Sequence, residues 1–181
     1  MYNNTEKFWD DIFEKEKLKD LSAPFGIEKL DSCIDWLCAN TGSIIDYGCG
    51  NASMLLRCAY LNVKKGLGID ISCQAVRTAV DYISKKDLSG FSVIQGSLEA
   101  LKSIKDASFE GAILSNIIDN ILPDDALCVL KNIYRILTHG GRVFVKLNDF
   151  MDKEKLKESI DFFEKEISDN LKKKKSGLYF H

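Results

Sequence analysis

Short apolar runs alternate with helical stretches through most of this 181-residue chain, and no other feature constrains its fold as strongly. Five of these runs are strand candidates: 43–47, 66–69, 91–95, 111–115 and 141–147. Strands that are apolar on both faces are buried between two layers of helices, as in a parallel sheet. We therefore predict an α/β fold, in which a doubly wound, mostly parallel sheet carries helices on both faces.

The two ends of the chain differ from this alternating centre. Residues 5–19 place an apolar stripe at helical spacing, which predicts an amphipathic helix capped by Thr5. A second helix is predicted over 27–39, a long charged helix over 152–171, and the start of a strand over 177–180. We expect one domain over 1–181, made of a helical cap (1–40), a core (41–150), and a C-terminal helix with an edge strand (151–181).

Composition excludes several classes of partner. The formal net charge is −2, so no electropositive field attracts nucleic acid, and the lysine run at 172–175 is interpreted as a solvated helix end. The six cysteines are scattered without a Cys-x-x-Cys pair and there are only two histidines, which predicts reduced thiols and no metal site. Neither a signal peptide nor a membrane span is expected, so we predict a cytoplasmic protein with no membrane partner.

The turn after the first strand contains the most informative residues. Gly48 and Gly50 lie between a strand and a helix, where a ligand can approach the backbone, although a tight turn needs glycine for steric reasons alone. Asp46 precedes them, and this acid would repel a pyrophosphate but suits an ammonium group. Asp70 ends the second strand, where an acid accepts hydrogen bonds from ribose hydroxyls. A nucleoside with a cationic amino-acid tail fits both acids, whereas a dinucleotide fits only the second.

Five segments in register resemble the motifs of the class I S-adenosylmethionine (SAM) dependent methyltransferases of small stand-alone type: IIDYGCGNA (44–52), GLGIDIS (66–72), VIQGSLEAL (93–101), SFEGAILSNIIDNI (108–121) and LKNIYRILTHGGRVFVKL (130–147). The resemblance implies that SAM is the cofactor and S-adenosylhomocysteine the product. It also implies the cofactor-binding residues. These are Asp46, Gly48, Cys49 and Gly50 around the methionine end, Asp70 on the ribose, Ile71, Ser97 and Leu98 around the adenine, and Asn116 near the sulfonium.

The implied reaction is an in-line displacement in which the protein mainly aligns the acceptor with the methyl group. Candidate catalytic residues follow the fourth and fifth strands: Asn116, Asp119 and Asp149. The two acids are also typical of solvated loops or helix caps. Phe8, Trp9 and Phe13 are candidates for residues near the acceptor. Phe8 and Trp9 either form a roof over the site or belong to an ordinary core stripe. The segment after strand four lacks the Asn-Pro-Pro-aromatic signature of methylases that act on the planar amino groups of adenine or glutamine, so those acceptors are disfavoured. The leading hypothesis is a small-molecule acceptor.

Three other functions stay open. A nicotinamide-dependent dehydrogenase is disfavoured because Ser53 occupies the third glycine position of its fingerprint. A non-catalytic SAM-binding regulatory or assembly protein, and an RNA or protein methyltransferase, are the remaining alternatives. Cys49 faces a helix N-terminus, which either lowers its thiol pKa or merely requires a small loop residue. We expect the family's last strands to be incomplete here, and an exposed edge beside strand five would favour a homodimer or aggregation.

Overall fold

The computed structural model describes residues 3–148, 163–168, 171–174 and 179–180, and its centre is a five-stranded parallel sheet. The strands are β1 (Ser43–Tyr47), β2 (Lys65–Asp70), β3 (Phe91–Gln95), β4 (Phe109–Ser115) and β5 (Leu137–Lys146). Their spatial order is β3-β2-β1-β4-β5, and every neighbouring pair is parallel. The direction of winding reverses between β1 and β4, and a ligand crevice is expected at the carboxyl ends of these strands. The α/β prediction is confirmed.

Helices cover both faces of this sheet, as two buried apolar clusters show. The helices are α1 (Asn3–Phe13), α2 (Glu28–Cys38), α3 (Ser53–Ala59), α4 (Cys73–Lys85), α5 (Leu98–Lys102) and α6 (Pro123–Ile136). Ile44 of β1 belongs to the cluster formed with α2, α3 and α4, whereas the adjacent Ile45 belongs to the cluster formed with α5 and α6. Successive residues of a strand point to opposite faces, so both sides of β1 are buried. The doubly wound arrangement is confirmed.

The first helix differs from its prediction. It begins at Asn3 and ends at Phe13, so Thr5 lies inside its first turn and is not its cap, and residues 14–19 are not helical. The Oγ1 atom of Thr5 is buried and has no hydrogen-bond partner among the described residues. The apolar stripe predicted the helix correctly, but not the residues at which it begins and ends.

The C-terminal helix predicted over 152–171 is wrong wherever the structure describes it. Three antiparallel strands form a second sheet: β6 (Phe163–Ser168), β7 (Leu171–Lys174) and β8 (Tyr179–Phe180). β8 is the described part of the C-terminal strand predicted over 177–180, but it pairs with β7 and does not extend the main sheet. The lysines of β7 therefore lie in a strand and are not a helix end. The register of β6 and β7 places Glu166 opposite Lys172. Pairing with a neighbouring strand overrides the helical preference of Glu and Lys, which is a weak local bias.

Among the described strands, β5 of the main sheet pairs with β4 and has no neighbour on its other side. Among the residues described, no helix has the length and apolar character needed to cross a membrane.

Candidate functional site

A cavity of about 420 Å³ opens at the carboxyl ends of β1, β2 and β4, which is a typical size for a small-molecule site. It is lined by every residue for which the sequence predicts a cofactor contact: Asp46, Gly48, Cys49, Gly50, Asp70, Ile71, Ser97, Leu98 and Asn116. Asp119 is not part of this lining, and Asp149 lies outside the described residues. The structure thus brings the predicted binding residues together and includes Asn116 alone of the three catalytic candidates.

The glycine turn is held against the end of β2. The main-chain N–H groups of Gly48 and Cys49 both donate to the carbonyl oxygen of Ile69, at 2.8 and 3.2 Å. Gly48 has φ +71° and Gly50 has φ +54°, in the left-handed region where glycine is favoured. A Cβ atom on Gly48 would also lie 2.9 Å from the side chain of Ile117. Glycine at position 48 is therefore required both by the backbone conformation and by the close approach of the next loop.

Asp46 is a buried carboxylate that lacks a partner. Its side chain lies at the end of β1 and is only 2% exposed. Its Oδ1 atom accepts no hydrogen bond from any described residue. Burial raises the pKa of Asp46 well above its usual value, and the nearby carboxylate of Asp70 raises it further. A cation bound beside Asp46 would favour its ionised form, so the site suits an ammonium group.

Asp70, in contrast, is held by the backbone around it. Its Oδ2 accepts a hydrogen bond from the N–H of Gly50 at 2.7 Å, and its Oδ1 accepts one from the N–H of Ser72 at 2.8 Å. Burial raises the pKa of Asp70, while hydrogen bonds from the N–H groups of Ser72, Gly50 and Ile71 act in the opposite direction. Each carboxylate oxygen has a further lone pair, so Asp70 can accept hydrogen bonds from a ligand's hydroxyls in a fixed orientation.

Helix α1 covers the cavity with two of its aromatic residues. Trp9 and Phe13 line the cavity and stack with their ring centroids 5.8 Å apart. The ring of Phe13 lies over the glycine turn, because a Cβ on Gly50 would be 2.7 Å from Phe13 Cζ. Phe8 packs edge-on against Trp9 and is absent from the lining. Of the two residues predicted as a roof, Trp9 therefore covers the cavity and Phe8 does not, and Phe13 covers it beside Trp9.

Acidic side chains of the N-terminal segment hold α1 in this position. Asp10 accepts hydrogen bonds from Ser72 Oγ at 2.6 Å and from the N–H of Gln74 at 3.0 Å, at the start of α4. Two side-chain hydrogen bonds lie on either side of it: Gln95 Nε2 to Glu6 and Asn51 Nδ2 to Glu16, both 3.0 Å. The sequence alone does not predict these contacts, because acidic residues on an amphipathic helix are also typical of its solvent-exposed face.

A family model described as a methyltransferase domain matches residues 40–179 of the chain. The chain belongs to this methyltransferase family. The resemblance to class I SAM-dependent methyltransferases is thereby confirmed, and the sheet order of this methyltransferase domain is consistent with it.

Individual relatives show the same fold over part of their length. Ribosomal protein L11 methyltransferase of Clostridium botulinum (strain Eklund 17B / Type B) is 27% identical over 100 residues, which are 55% of this chain and 29% of that protein. The crystal structure of a putative SAM-dependent methyltransferase from Methanococcus maripaludis matches with a TM-score of 0.62 at 20% identity, over 80% of this chain and 64% of the other. The [4+2]-cyclase SpnF matches with a TM-score of 0.61 at 20% identity, over 80% and 57%. The chain thus spans less than a third of the curated relative and less than two thirds of either structure.

The loops after β4 and β5 of the methyltransferase domain are tied together by polar side chains. Asp119 Oδ2 accepts hydrogen bonds from the N–H and the Nδ2 of Asn148, at 2.7 and 2.8 Å. Its Oδ1 accepts one from Asn120 Nδ2 at 3.3 Å. Both oxygens of Asp119 are therefore engaged, and Oδ2 joins the two loops, so the geometry gives this acid a structural contact rather than access to the cavity.

The electrostatic environment of the methyltransferase cavity is acidic. Burial raises the pKa of the Cys49 thiol well above its usual value, and the carboxylates of Asp46 and Asp70 add to the effect. The lowered thiol pKa considered for Cys49 is therefore wrong, because burial and two acids outweigh the helix N-terminus. Burial, followed by the charges of Asp125 and Asp70, raises the pKa of Tyr47 to about 12. Among the described residues, the lining contains no lysine, arginine or histidine.

Proposed function

We propose that this methyltransferase domain binds SAM in the cavity and transfers its methyl group to a small-molecule acceptor. The observation that carries the proposal is the buried Oδ1 of Asp46, which lacks a partner in a cavity that also contains Asp70. A buried carboxylate without a partner is unfavourable unless a ligand neutralises it. SAM carries an ammonium group for Asp46 and ribose hydroxyls for Asp70, whereas a dinucleotide would leave Asp46 uncompensated.

The remaining lining residues fit the other parts of the cofactor. In this proposal the loop over 48–50 presents its backbone to the methionine end, and Ile71, Ser97 and Leu98, which also line the cavity, contact the adenine. When bound, SAM supplies a sulfonium methyl group, whose carbon bonds to a lone pair of the acceptor while the electron pair of the broken C–S bond stays on sulfur. Trp9 and Phe13 lie over the site and would present aromatic rings to a cation.

Two features support a small acceptor. Helix α1 covers the cavity, which limits the size of a group that can reach Asn116, and the net charge of −2 gives no general attraction for RNA. A protein acceptor is the second candidate, because a curated relative is a ribosomal protein methyltransferase. A role other than methyl transfer is the third, because a [4+2]-cyclase has the same fold. Turnover of labelled SAM with small acceptors and with ribosomal proteins separates these functions.

Isothermal titration calorimetry with S-adenosylhomocysteine tests cofactor binding directly. We expect binding to the wild type and at least tenfold weaker binding to Asp70→Ala, because the variant loses the acceptors for the ribose hydroxyls. NAD is the matched control, since it shares the ribose but lacks the amino-acid tail. Tight binding of NAD, or no binding of S-adenosylhomocysteine, would contradict the proposal.

We further propose that the protein forms a homodimer through the open edge of β5 in the cytoplasm. Val145 of this strand and Leu147 just after it are 42% and 52% exposed, and an unpaired strand edge is a template for association. All six cysteines are free thiols, which suits a reducing compartment. Sedimentation equilibrium of the wild type and of Val145→Lys tests the dimer: we expect a dimer and a monomer respectively, and a monomeric wild type would refute it.

A further inference from the structure

Asn116 and Lys146 meet beside the cavity, at the carboxyl ends of the neighbouring strands β4 and β5. The ammonium nitrogen of Lys146 lies 2.9 Å from Asn116 Oδ1, and the main-chain N–H of Asn116 donates to the carbonyl oxygen of Lys146 at 2.7 Å. Asn116 also has φ +54°, in the left-handed region that asparagine tolerates better than most residues. Backbone and side chain are thus both held at a residue that lines the cavity.

The chemistry of Lys146 decides which end of the Asn116 carboxamide remains available. A lysine ammonium carries donors only, so at 2.9 Å it pairs with the carboxamide oxygen and cannot pair with the NH2 group. The Nδ2 atom of Asn116 makes no hydrogen bond within the described part of the chain and is not among its buried unpartnered atoms. Asn116 therefore offers a ligand N–H donors, while its acceptor oxygen is already occupied.

We propose that Lys146 is a positioning residue that makes this site select an oxygen nucleophile, such as a hydroxyl group, over an amine. This inference rests on the function proposed above. An oxygen has two lone pairs, so one can accept a hydrogen bond from Asn116 Nδ2 while the other bonds to the methyl carbon. The hydroxyl proton passes to solvent water, and the electron pair of the broken C–S bond remains on sulfur.

An amine fits the same geometry poorly. A neutral amine nitrogen has one lone pair, which is needed for the new bond to carbon, so it cannot also accept a hydrogen bond from Asn116. Its N–H groups require an acceptor, and the acceptor oxygen of Asn116 is taken by Lys146. The charge of Lys146 additionally polarises the carboxamide and strengthens its N–H donors. Asn116 touches the ligand in this scheme, and Lys146 acts through Asn116.

Two cofactor analogues test the inference without knowledge of the acceptor. S-adenosylhomocysteine has a thioether sulfur without a methyl group. Sinefungin has a carbon in place of the sulfonium sulfur of SAM and an amine in place of its methyl group. The measured quantity is the ratio of their dissociation constants, sinefungin over S-adenosylhomocysteine, by calorimetry. We compare the wild type with Lys146→Met, Asn116→Asp and Lys146→Arg, the last of which keeps a donor-only cation.

We expect a ratio of about one or more for the wild type and for Lys146→Arg, because the sinefungin amine meets a donor. Asn116→Asp should lower the ratio about tenfold or more, since a carboxylate oxygen then faces the amine. Lys146→Met should lower it about three- to tenfold, because the carboxamide can turn its oxygen to the ligand. A purely structural role of Lys146 predicts instead that both analogues weaken together at a constant ratio.

If S-adenosylhomocysteine still binds to the wild type, either of two results contradicts this inference without contradicting the proposed function. The first is a wild type that prefers sinefungin about tenfold. The second is a ratio that remains at the wild-type value in Asn116→Asp, which is measurable even where Lys146→Met fails to fold. No binding of either analogue to the wild type overturns this inference and the proposed function together.

Discussion

The two acids of the cavity should respond in opposite ways to the same substitution. Asp46→Asn removes a buried carboxylate charge that has an unpartnered oxygen, so the ligand-free protein should become more stable. Asp70→Asn replaces a carboxylate that accepts hydrogen bonds from the N–H groups of Gly50 and Ser72, so the ligand-free protein should become less stable. Both variants should nevertheless bind S-adenosylhomocysteine more weakly.

The magnitudes follow from the contacts of each carboxylate. A buried polar group left without a partner costs about 1–3 kcal/mol, and Asp46→Asn should recover the part of this cost that is due to charge. Loss of a hydrogen bond to a charged group costs about 1.5–3 kcal/mol, which is the expected destabilisation of Asp70→Asn. For a chain of this length 1 kcal/mol shifts Tm by about 2–4 °C, so recovery of about 1–1.5 kcal/mol gives a rise of roughly 2–6 °C, and the loss at Asp70 gives a fall of roughly 3–12 °C.

The pH dependence of the free energy of unfolding independently checks the sign of the stability change expected for Asp46→Asn. Because folding raises the pKa of Asp46 above its ordinary value of 3.8, the native state keeps this proton where the unfolded chain has lost it. Stability from Asp46 is then fully present below about pH 4 and decreases as the pH rises through the folded pKa. Asp46→Asn lacks this loss, so its advantage over the wild type should be absent near pH 4 and should grow towards pH 8.

Thermal unfolding followed by circular dichroism, at several pH values with and without S-adenosylhomocysteine, measures these effects. Calorimetry supplies the affinities, which should fall about 10- to 100-fold in both variants, because each loses a charged ligand contact. The reasoning is refuted if Asp46→Asn destabilises the ligand-free protein as much as Asp70→Asn does, since Asp46 would then have a partner in the folded state.

Three further substitutions test the turn, the sheet and the roof. Gly48→Ala should weaken S-adenosylhomocysteine binding at least tenfold, whereas Gly140→Ala, which has a similar positive φ but open space around it, should leave the affinity unchanged. Gly66→Ala places a Cβ 2.2 Å from the ring of Phe91 and should lower the free energy of unfolding by about 1–3 kcal/mol in urea titrations; an unchanged midpoint would contradict this packing. Phe13→Ala should weaken binding of S-adenosylhomocysteine about fivefold or more by calorimetry, and equal affinity would show that α1 does not cover the ligand.

Most of the fold could be predicted because the strands are buried on both faces. β1 and β3 have the predicted bounds, whereas β2, β4 and β5 begin one, two and four residues earlier than predicted, and β5 also ends one residue earlier, at Lys146. The short helix α5 was missed, since five residues carry too little periodicity to be recognised. Residues 163–168 were assigned to a helix because Glu and Lys favour helices locally, and only the pairing with β7 shows that they form a strand.

The order of strands and the positions of acids and glycines in the chain already determined where the site lies. Asp46 is the last residue but one of β1, and Asp70 is the last residue of β2. Because these strands are parallel neighbours, their carboxyl ends lie at one edge of the sheet. Tertiary structure decided what each polar group does there. Asp46 Oδ1 has no partner among the described residues, Asp119 accepts hydrogen bonds from Asn148, and Asn116 accepts one from Lys146. The last two contacts join residues that are distant in sequence. Local patterns contain no information about such partners, since packing of the loops and of α1 against the sheet determines which donor reaches which acceptor.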